Sequence, residues 1–231
     1  MNFMKHYGPK FEMFKQLLQK DNPVIVEIGA HYGEDTMRFL ETFKNLEIYC
    51  FEPDPRNIMI FKKHVNNRKI KLFEYALSDA EGVMDFYLSH DNKIDSVPEK
   101  YDWISLEDYS KKRLSNSGSS SLKKGYSKNM HKMSVRTCRF DDWAIENYSG
   151  PIDLVWMDVQ GAERDVLSGM GSTIKNIKFI WMEYGEKLYQ DAMDRQESIA
   201  LMDLLGFSEV SRYSDTTPQG DILFKNKNLD I

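Results

Sequence analysis

The sequence predicts an α/β fold of the doubly wound, Rossmann-like class, with a mostly parallel seven-stranded sheet that ends in an antiparallel hairpin. Apolar runs alternate with helical patterns in the first half of the chain, so that β-α-β-α-β occupies about fifty residues from Val24 onward. Parallel strands joined by helices form such sheets with right-handed crossovers. Two strand-like runs separated by a turn end the sequence and predict the hairpin.

The first buried strand is predicted at residues 24–28, an apolar run broken only by Glu27 and bounded by Pro23 and Gly29. A short apolar run is typical of a parallel strand that is covered on both faces. The next predicted elements are a helix at residues 34–44, a strand at 46–51, a helix that begins at Pro55 and a strand at 71–76. Proline is well tolerated in the first turn of a helix, which supports the start at Pro55.

The second half predicts further elements of the same sheet. Alternating side chains indicate an edge strand or hairpin arm at residues 82–89. The elements predicted after it are a strand at 134–139, a helix at 140–148, a strand at 152–157, a helix at 162–170, a strand at 179–182, a helix at 199–205, and strands at 207–213 and 221–225. Since no repeat or second domain is evident in 231 residues, we expect a single domain over residues 1–231.

An amphipathic helix is predicted within residues 1–22. One face of it repeats every three or four residues, which indicates that it packs onto the domain. The residues of that face are Phe3, Tyr7, Phe11, Phe14 and Leu18.

The composition excludes several classes of protein. With 41% hydrophobic residues and a net charge of −5, the chain can bury a core and is a poor sequence-independent binder of a phosphate backbone. Cys50 and Cys138 lack metal or redox spacing, and their surroundings predict two buried free thiols. Because no stretch is apolar enough to span a bilayer and residues 1–20 lack the core of a secretory signal, we expect a cytoplasmic protein without a transmembrane segment.

Residues 90–133 form a basic insertion with little periodicity. Nine Lys or Arg and no acid occur in residues 109–140, and residues 116–121 are a small low-complexity run of mostly serine. Long segments of this kind are usually either functional or disordered. Two interpretations stay open: an element over the site that gates an anionic substrate or holds a cofactor carboxylate, and a mobile, solvated loop.

The loop after the first strand is the first candidate for ligand binding. Glu27, Gly29 and Gly33 form the pattern Glu-x-Gly-x-x-x-Gly at a strand-to-helix turn, where glycine lets a ligand approach the backbone closely. The GxGxxG fingerprint that cradles a pyrophosphate is absent, which disfavours NAD. S-adenosylmethionine carries no phosphate, and its amino-acid end can meet backbone groups and Glu27. The candidate cofactor-binding residues here are Glu27, Gly29, Ala30, His31, Gly33 and Thr36.

The second and third strands add nucleoside contacts to this prediction. Glu52 ends the second strand, where an acid can accept the hydroxyl protons of a ribose, and Pro53 follows it. The alternative for Glu52 is a turn acid that caps the next helix, although Asp54 serves that purpose well. Ser78 and Asp79 follow the third strand and are predicted to meet the adenine edge.

Carboxylates also end the fourth and fifth predicted strands. Asp158 follows the fourth strand, beside the first in the expected order, and Glu183 closes the fifth. Such a pair serves as general base and substrate orienter, or together holds a divalent metal. The alternative for Asp158 is a helix cap. His131 is a candidate assistant to the base, with an ordinary surface histidine as the alternative.

Taken together, these motifs resemble the FkbM family of S-adenosylmethionine-dependent methyltransferases. The resemblance runs from Val24 to Glu183 through Val-Glu-Ile-Gly-Ala-x-x-Gly, Phe-Glu-Pro-Asp, Ala-Leu-Ser-Asp, Phe140-Asp141-Asp142 and Ile-Asp-Leu-Val-Trp-Met-Asp-Val-Gln-Gly-Ala-Glu. Two positions depart from the family pattern: a lysine is usual where Trp156 or Met157 stands, and an acid is common at Gln160. The resemblance implies a class I methyltransferase fold and O-methylation of a sugar, a glycan or another small hydroxylated metabolite.

Two other functions remain as alternatives. One is a methyltransferase that acts on nucleic acid or protein, supported only by the basic stretch at residues 111–139. The other is a non-catalytic Rossmann-like binding module, against which the intact Gly29, Gly33, Glu52 and Asp158 argue. We expect a small-molecule or glycan partner and no nucleic acid. The sequence does not predict the oligomeric state.

Overall fold

The computed structural model describes residues 8–90, 96–111, 114–125, 130–185, 188–216 and 219–229. Phe3 and Tyr7 of the predicted amphipathic face lie outside these residues. The strands are β1 (Val24–Ile28), β2 (Glu47–Phe51), β3 (Ile70–Phe73), β4 (Ala76–Ser78), β5 (Gly82–Ser89), β6 (Met130–Arg139), β7 (Ile152–Met157), β8 (Ile177–Gly185), β9 (Phe207–Thr216) and β10 (Gln219–Asn226). The helices are α1 (Gly8–Leu18), α2 (Glu34–Thr42), α3 (Pro55–His64), α4 (Leu106–Lys111), α5 (Phe140–Asn147), α6 (Glu163–Gly169) and α7 (Arg195–Leu204).

Within the described residues, seven strands form one sheet in the order β3-β2-β1-β7-β8-β10-β9. The first five in this order are parallel, and β10 is antiparallel to both of its neighbours. The predicted fold class is thus confirmed, including the antiparallel hairpin at the end. Chain connections leave β1 in one direction and β7 in the other, so a ligand crevice forms at the carboxyl ends of these two strands.

A smaller sheet in the order β4-β6-β5 lies beside the main one. The predicted strand at residues 71–76 is therefore wrong in part: β3 ends at Phe73, and Ala76 opens β4, which pairs with β6. Between these two strands, Tyr75 packs against Phe51 with ring centroids 5.7 Å apart. Residues 71–76 mix charged and apolar side chains and suit a strand in either sheet, so their local pattern does not indicate the break.

Helices cover both faces of the main sheet. One face presents Val26, Val155 and their neighbours to α5, α6 and α7. The other presents Trp156 and Trp181 to α1, whose Phe14 is fully buried against both indoles. Burying one such ring stabilises the fold by roughly 1.5–3 kcal/mol relative to leaving it exposed. Because strand side chains alternate between the two faces, each face contributes a different set of side chains to the crevice.

The helix start predicted at Pro55 agrees with the structure. The Asp54 carboxylate caps α3 by accepting a hydrogen bond from the N–H of Arg56 at 2.9 Å. A side-chain oxygen in this position satisfies one of the unpaired N–H groups of the first turn. α3 therefore begins immediately after the tip of β2, which fixes Glu52 at the crevice.

Cys50 and Cys138 are both buried and free, as predicted. Among the described helices, none is long and apolar enough to cross a membrane.

Candidate active site

The loop after β1, which we call the glycine loop (residues 29–33), is anchored at both neighbouring strands. The N–H groups of Gly29 and Ala30 both donate to the carbonyl oxygen of Phe51 at 2.9 Å. The N–H of Asp158 donates to Ile28 at 3.0 Å. Gly29 has φ +88, and a Cβ there would lie 1.9 Å from the carbonyl oxygen of Asp158. Only glycine therefore allows β1 and β7 to end this close together.

His31 fastens the glycine loop to three other parts of the chain. Its backbone has φ +51, in the left-handed region, and its N–H donates to Glu52 Oε2 at 2.8 Å. The ring contacts Glu34 Oε1 through Nδ1 at 2.8 Å and Ser117 Oγ through Nε2 at 2.9 Å. Burial opposes the charged imidazolium, but the Glu34 carboxylate outweighs it and raises the pKa of His31. The sequence singled out His31 for cofactor contact, and its position also makes it a structural link.

Glu52 lies at the tip of β2, 4% exposed, on the wall of the cavity described below. Its Oε1 accepts hydrogen bonds from the N–H of Asp54 at 2.8 Å and from Asn57 Nδ2 at 3.3 Å. Burial, together with the nearby Asp54 charge, raises the pKa of Glu52 to about 7. A carboxylate accepts about four hydrogen bonds, so Glu52 retains capacity for a ligand hydroxyl.

Glu27 is buried on β1, and it also lines the cavity. It accepts hydrogen bonds from Thr36 Oγ1 and, at 3.4 Å, from Cys50 Sγ. Burial and the Asp35 charge raise its pKa well above the ordinary value. Thr36 thus supports Glu27 from behind and does not itself reach the cavity wall. Gly33 also lies off the wall, where a Cβ would meet Val65 at 2.5 Å.

A cavity of about 960 Å³ opens at the carboxyl edge of the sheet. The glycine loop and Glu52 form one wall, and Asp158 and Glu183 form another. A third wall comes from the serine segment (residues 115–121), which belongs to the basic insertion. The described part of the insertion therefore lies over the glycine loop.

Hydrogen bonds attach the serine segment to its surroundings. Tyr32 Oη lies 2.5 Å from Ser117 Oγ and donates to the carbonyl oxygen of Leu114 at 2.8 Å. Arg56 Nη2 donates to Ser120 Oγ at 3.1 Å, and Ser121 Oγ donates to the carbonyl oxygen of Val159 at 3.2 Å. The segment is thus tied to the glycine loop, to α3 and to the turn after β7.

Asp158 and Glu183 are bridged by one amide. Gln160 Nε2 donates to Asp158 Oδ1 at 2.6 Å and to Glu183 Oε2 at 2.7 Å. Gln219 Nε2 donates to the other oxygen of Glu183. The prediction that Glu183 closes the fifth strand is wrong, because β8 continues to Gly185 and Glu183 pairs with Asp221 of β10. Pairing with the antiparallel strand β10 extends β8 beyond Glu183, and the local sequence pattern does not predict that pairing.

Asp158 does not cap the following helix. α6 begins at Glu163, and the Glu163 carboxylate accepts hydrogen bonds from the N–H groups of Gly161 at 3.2 Å and Val159 at 3.4 Å. Gln160 and Gly161, with φ +55 and +95, turn the chain between Asp158 and the helix. The Asp158 carboxylate therefore faces the open cavity.

The two carboxyl groups hold protons unusually strongly. Although the Asp158 side chain is accessible from the cavity, partial desolvation by the surrounding walls raises its pKa to about 6, and the hydrogen bond from Gln160 opposes the rise. Burial and the negative charges of Asp158 and Glu163 raise the pKa of Glu183 further. Asp158 therefore titrates near neutral pH, as a general base requires, whereas Glu183 keeps its proton to higher pH.

Besides Gly33 and Thr36, three further predicted site residues, Ser78, Asp79 and His131, are not brought to the cavity wall. Ser78 is fully buried, and its carbonyl oxygen packs against Gly169 of α6. Its hydroxyl donates to Asp79 at 3.2 Å, away from the cavity lining. His131 is exposed on β6 and stacks on His90 with centroids 4.7 Å apart. Ala76 and Leu77 of β4 do line the cavity, so the chain leaves the wall at Ser78.

Groups that the sequence did not single out complete the wall beyond Asp158. Arg38 of α2 and Asp221 of β10 flank aromatic edges from Trp181 and Tyr213. Asn57, 2% exposed, also lines the cavity, and its Oδ1 has no hydrogen-bond partner among the described residues. These side chains come from distant parts of the chain, so no local sequence motif predicts that they line the cavity.

Comparison with known proteins identifies the family. The family described as "Methyltransferase FkbM domain" matches residues 27–209. The chain belongs to the FkbM methyltransferase family. A curated relative, 2-O-methyltransferase NoeI of Sinorhizobium fredii, is 34% identical over 92% of this chain and 83% of its own length.

Solved structures agree with the FkbM fold assignment. Magnesium protoporphyrin IX methyltransferase of Synechocystis, with bound S-adenosylmethionine, has a TM-score of 0.50 at 7% identity, over 94% of this chain and 78% of the other. TrmK of M. capricolum, in complex with S-adenosylhomocysteine, also has a TM-score of 0.50 at 9% identity, over 95% and 68%. At such low identity the likeness shows the fold alone, a class I methyltransferase fold.

The cofactor of this FkbM methyltransferase is S-adenosylmethionine, and the cavity fits it chemically. Arg38 and Lys100 are outnumbered on the wall by carboxylates, an environment that suits a sulfonium cation and disfavours phosphates. The carboxylates are Glu27, Glu34, Asp35, Glu52, Asp158, Glu183 and Asp221. The unpartnered Asn57 Oδ1 beside Glu52 is a buried acceptor of the kind that a ligand usually satisfies.

Among the described residues, no group of three or more His, Cys, Asp or Glu side chains is arranged to hold a metal ion.

Proposed function

We propose that this chain transfers the methyl group of S-adenosylmethionine to a hydroxyl of a sugar, a glycan or another small hydroxylated metabolite. The observation that carries the proposal is Asp158: its backbone follows β7 directly against the glycine loop, and its side chain lines the cavity with a pKa raised to about 6. A base of this pKa is largely ionised at neutral pH and still accepts a proton readily.

The cofactor is held, in this proposal, by the glycine loop and the tip of β2. Gly29, Ala30 and His31 offer a backbone that can be approached closely, and Glu27 faces the amino-acid end. Glu52 accepts ribose hydroxyl protons, and Pro53 packs beside it. The bound cofactor supplies an electrophilic methyl group and leaves as S-adenosylhomocysteine.

The acceptor occupies the part of the cavity between α2 and the hairpin of β9 and β10. Hydrogen-bonding side chains and aromatic edges alternate there, a combination that suits a polyhydroxylated ring with polar rims and apolar faces. The groups concerned are Asp35, Arg38, Glu183, Gln219, Asp221, Trp181 and Tyr213. The name of the 34% identical relative, a 2-O-methyltransferase, supports oxygen as the methylated atom.

Transfer then needs alignment, exclusion of water and one proton acceptor. As the acceptor oxygen bonds to the methyl carbon, the O–H proton passes to the Asp158 carboxylate. Glu183 orients the acceptor, and Gln160 joins it to Asp158 by donating a hydrogen bond to each. Holding two reactants in line supplies roughly 7–11 kcal/mol, and a positioned base adds about 10²–10⁴-fold.

Nucleic acid is the less favoured acceptor. In the described residues, several cations of the basic region form ion pairs with acids, which reduces the positive charge left for phosphates. These pairs are Lys111–Glu107, Lys123–Asp165, Lys132–Asp85 and Arg136–Glu81.

The test is a panel of methyl glycosides, with a tRNA mixture and a histone mixture as further arms, incubated with S-adenosylmethionine labelled in the methyl group. We expect label in at least one glycoside. Asp158→Asn should lower that transfer about 10²–10⁴-fold and leave calorimetric binding of S-adenosylhomocysteine intact. Asp203→Asn, on exposed α7, is the matched control. Label only in tRNA or protein would overturn the proposed acceptor, and full activity of Asp158→Asn would remove it as the base.

A further inference from the structure

Gln160 occupies a position from which one side chain reaches both carboxylates. Its amide has two protons, and each is directed at a different carboxyl group, Asp158 Oδ1 at 2.6 Å and Glu183 Oε2 at 2.7 Å. The reverse orientation would set its carbonyl oxygen against two carboxylate oxygens. What Gln160 does for Asp158 therefore depends on what holds the amide in this orientation.

Tyr189 supplies that restraint. Its hydroxyl donates to Gln160 Oε1 at 2.8 Å and also lies 3.1 Å from the carbonyl oxygen of Ser119. Tyr189 is fixed in turn: a bridge pairs it with Gly125, and the next N–H, of Gln190, donates to Lys124 at 2.9 Å. A Cβ on Gly161 would lie 2.6 Å from Tyr189 Cβ, so the tyrosine packs directly on the turn that carries Gln160.

We propose that Tyr189 and Gln160 are positioning residues that couple the serine segment above the glycine loop to the orientation and proton affinity of Asp158. The coupling begins in the backbone, because Lys124 and Gly125, which follow the serine segment, hold Tyr189 in place. The single hydroxyl proton of Tyr189 is shared between Gln160 Oε1 and the more distant Ser119 carbonyl oxygen. Gln160 in turn donates to the two carboxylates. When the serine segment lies over the glycine loop, Tyr189 is held where it orients the amide. The inference rests on the proposed function, because it gives Asp158 the role of base.

The sign of the effect follows from the amide protons. A hydrogen bond donated to a carboxylate stabilises its ionised form and lowers its pKa. Loss of the oriented amide should therefore raise the pKa of Asp158, so that activity at low pH is lost sooner. The other titratable groups that influence Asp158 or its partner Glu183 come from the glycine loop, α2, α6, β8 and β10. They are His31, Asp35, Glu163, Glu183 and Asp221.

The test compares Gln160→Met, which keeps the side-chain length without the amide, and Tyr189→Phe, which keeps the ring on Gly161. Tyr148→Phe is the matched control, because its hydroxyl also donates to a backbone carbonyl, that of Pro151 at 3.1 Å, outside the cavity. The first readout is the titration of ¹³C-labelled aspartate carboxyl carbons by NMR, assigned with Asp158→Asn. It requires no acceptor. The second readout is calorimetric affinity for S-adenosylhomocysteine.

We expect Gln160→Met to raise the apparent pKa of Asp158 by about one pH unit, and Tyr189→Phe to raise it by less. Tyr148→Phe should leave it unchanged, and product affinity should stay within about threefold in all variants. With an acceptor from the glycoside panel, kcat should fall and the acidic limb of the pH profile should move to higher pH. A purely structural role would lower the melting temperature without moving the titration.

The outcomes separate this proposal from the proposed function. An unmoved Asp158 titration in both Gln160→Met and Tyr189→Phe overturns the coupling, whatever the glycoside panel shows. A shifted titration in protein that methylates no glycoside supports the coupling and counts against the proposed acceptor. A shift of equal size in Tyr148→Phe would overturn the coupling, since it would trace the effect to general loosening of the fold.

Discussion

The backbone N–H of His31 donates to the Glu52 carboxylate at 2.8 Å, and this bond joins the glycine loop to the tip of β2. The acid proposed to bind the ribose thus also fixes the loop proposed to bind the amino-acid end. A substitution of Glu52 should therefore affect both the ribose contact and the position of the glycine loop.

Glu52→Gln is expected to weaken binding of S-adenosylhomocysteine by about 10–100-fold, because a neutral amide accepts hydroxyl protons less strongly than a carboxylate. Isothermal titration calorimetry measures the effect. Glu47→Gln, at the other end of β2 and outside the cavity, is the control and should bind normally. Equal affinity of Glu52→Gln and wild type would exclude Glu52 as a ligand of the nucleoside.

The affinity for S-adenosylhomocysteine should also depend on pH through Glu52. Its pKa is raised to about 7, and the ionised form accepts the ribose hydroxyls, so binding should strengthen as pH rises from 6 to 8. If only the ionised form binds, the gain approaches about tenfold. The dependence should be absent from Glu52→Gln, and proton release on binding should appear as a heat that varies with the buffer. A wild-type affinity that falls over this range would contradict the assignment.

Gly29→Ala is expected to destabilise the protein by about 2–4 kcal/mol, because φ is +88 and the new Cβ would overlap the Asp158 carbonyl oxygen. Chemical denaturation followed by circular dichroism measures the free energy of unfolding. Gly118→Ala is the matched control: its Cβ would meet the His31 ring at 3.6 Å, an ordinary contact. Similar stability of the two variants would show that β1 and β7 are not held together as described.

Methyl transfer should rise with pH and level off above an apparent pKa near 6. Asp158 must be ionised to accept the proton, and its pKa is raised from the ordinary range to about 6, so the loss of activity lies on the acidic side. Because Asp158 and Glu183 interact, the profile reports the pair. The measurement is kcat/KM between pH 5 and 8 with saturating donor. A rate that is flat from pH 5 to 7 would argue against this base.

A chelator is expected to leave transfer unchanged. A cation between Asp158 and Glu183 would face the amide protons of Gln160, which already satisfy one oxygen of each carboxylate. Activity should be compared before treatment with EDTA, after it, and again after Mg²⁺ is added back. Loss of activity with EDTA and its recovery with Mg²⁺ would contradict the proposed general base and would indicate a metal site at Asp158 and Glu183.

Local patterns in the sequence were sufficient for the fold class and for placing four candidate site residues at one edge of the sheet. Glu27, Gly29, Glu52 and Asp158 each lie where a strand of the parallel sheet ends. Since such strands end at one edge, the sequence order alone brings them together. The same reasoning did not foresee that Ser78, Asp79 and His131 lie off the cavity wall. β4 and β6 pair with each other in a second sheet, and pairing partners are not encoded in a strand's own periodicity.

The sequence by itself determined a parallel α/β sheet, a glycine loop at its edge and acids at neighbouring strand tips, because these depend on residue type and spacing along a single strand or turn. Only the tertiary structure decided that the serine segment lies over the glycine loop, that Glu183 lies inside β8, and that the Tyr189 hydroxyl donates to Gln160. Those contacts join residues far apart in the chain. They form because hydrogen-bond donors and acceptors buried by packing must find partners, and which partners are near is a property of the folded chain alone.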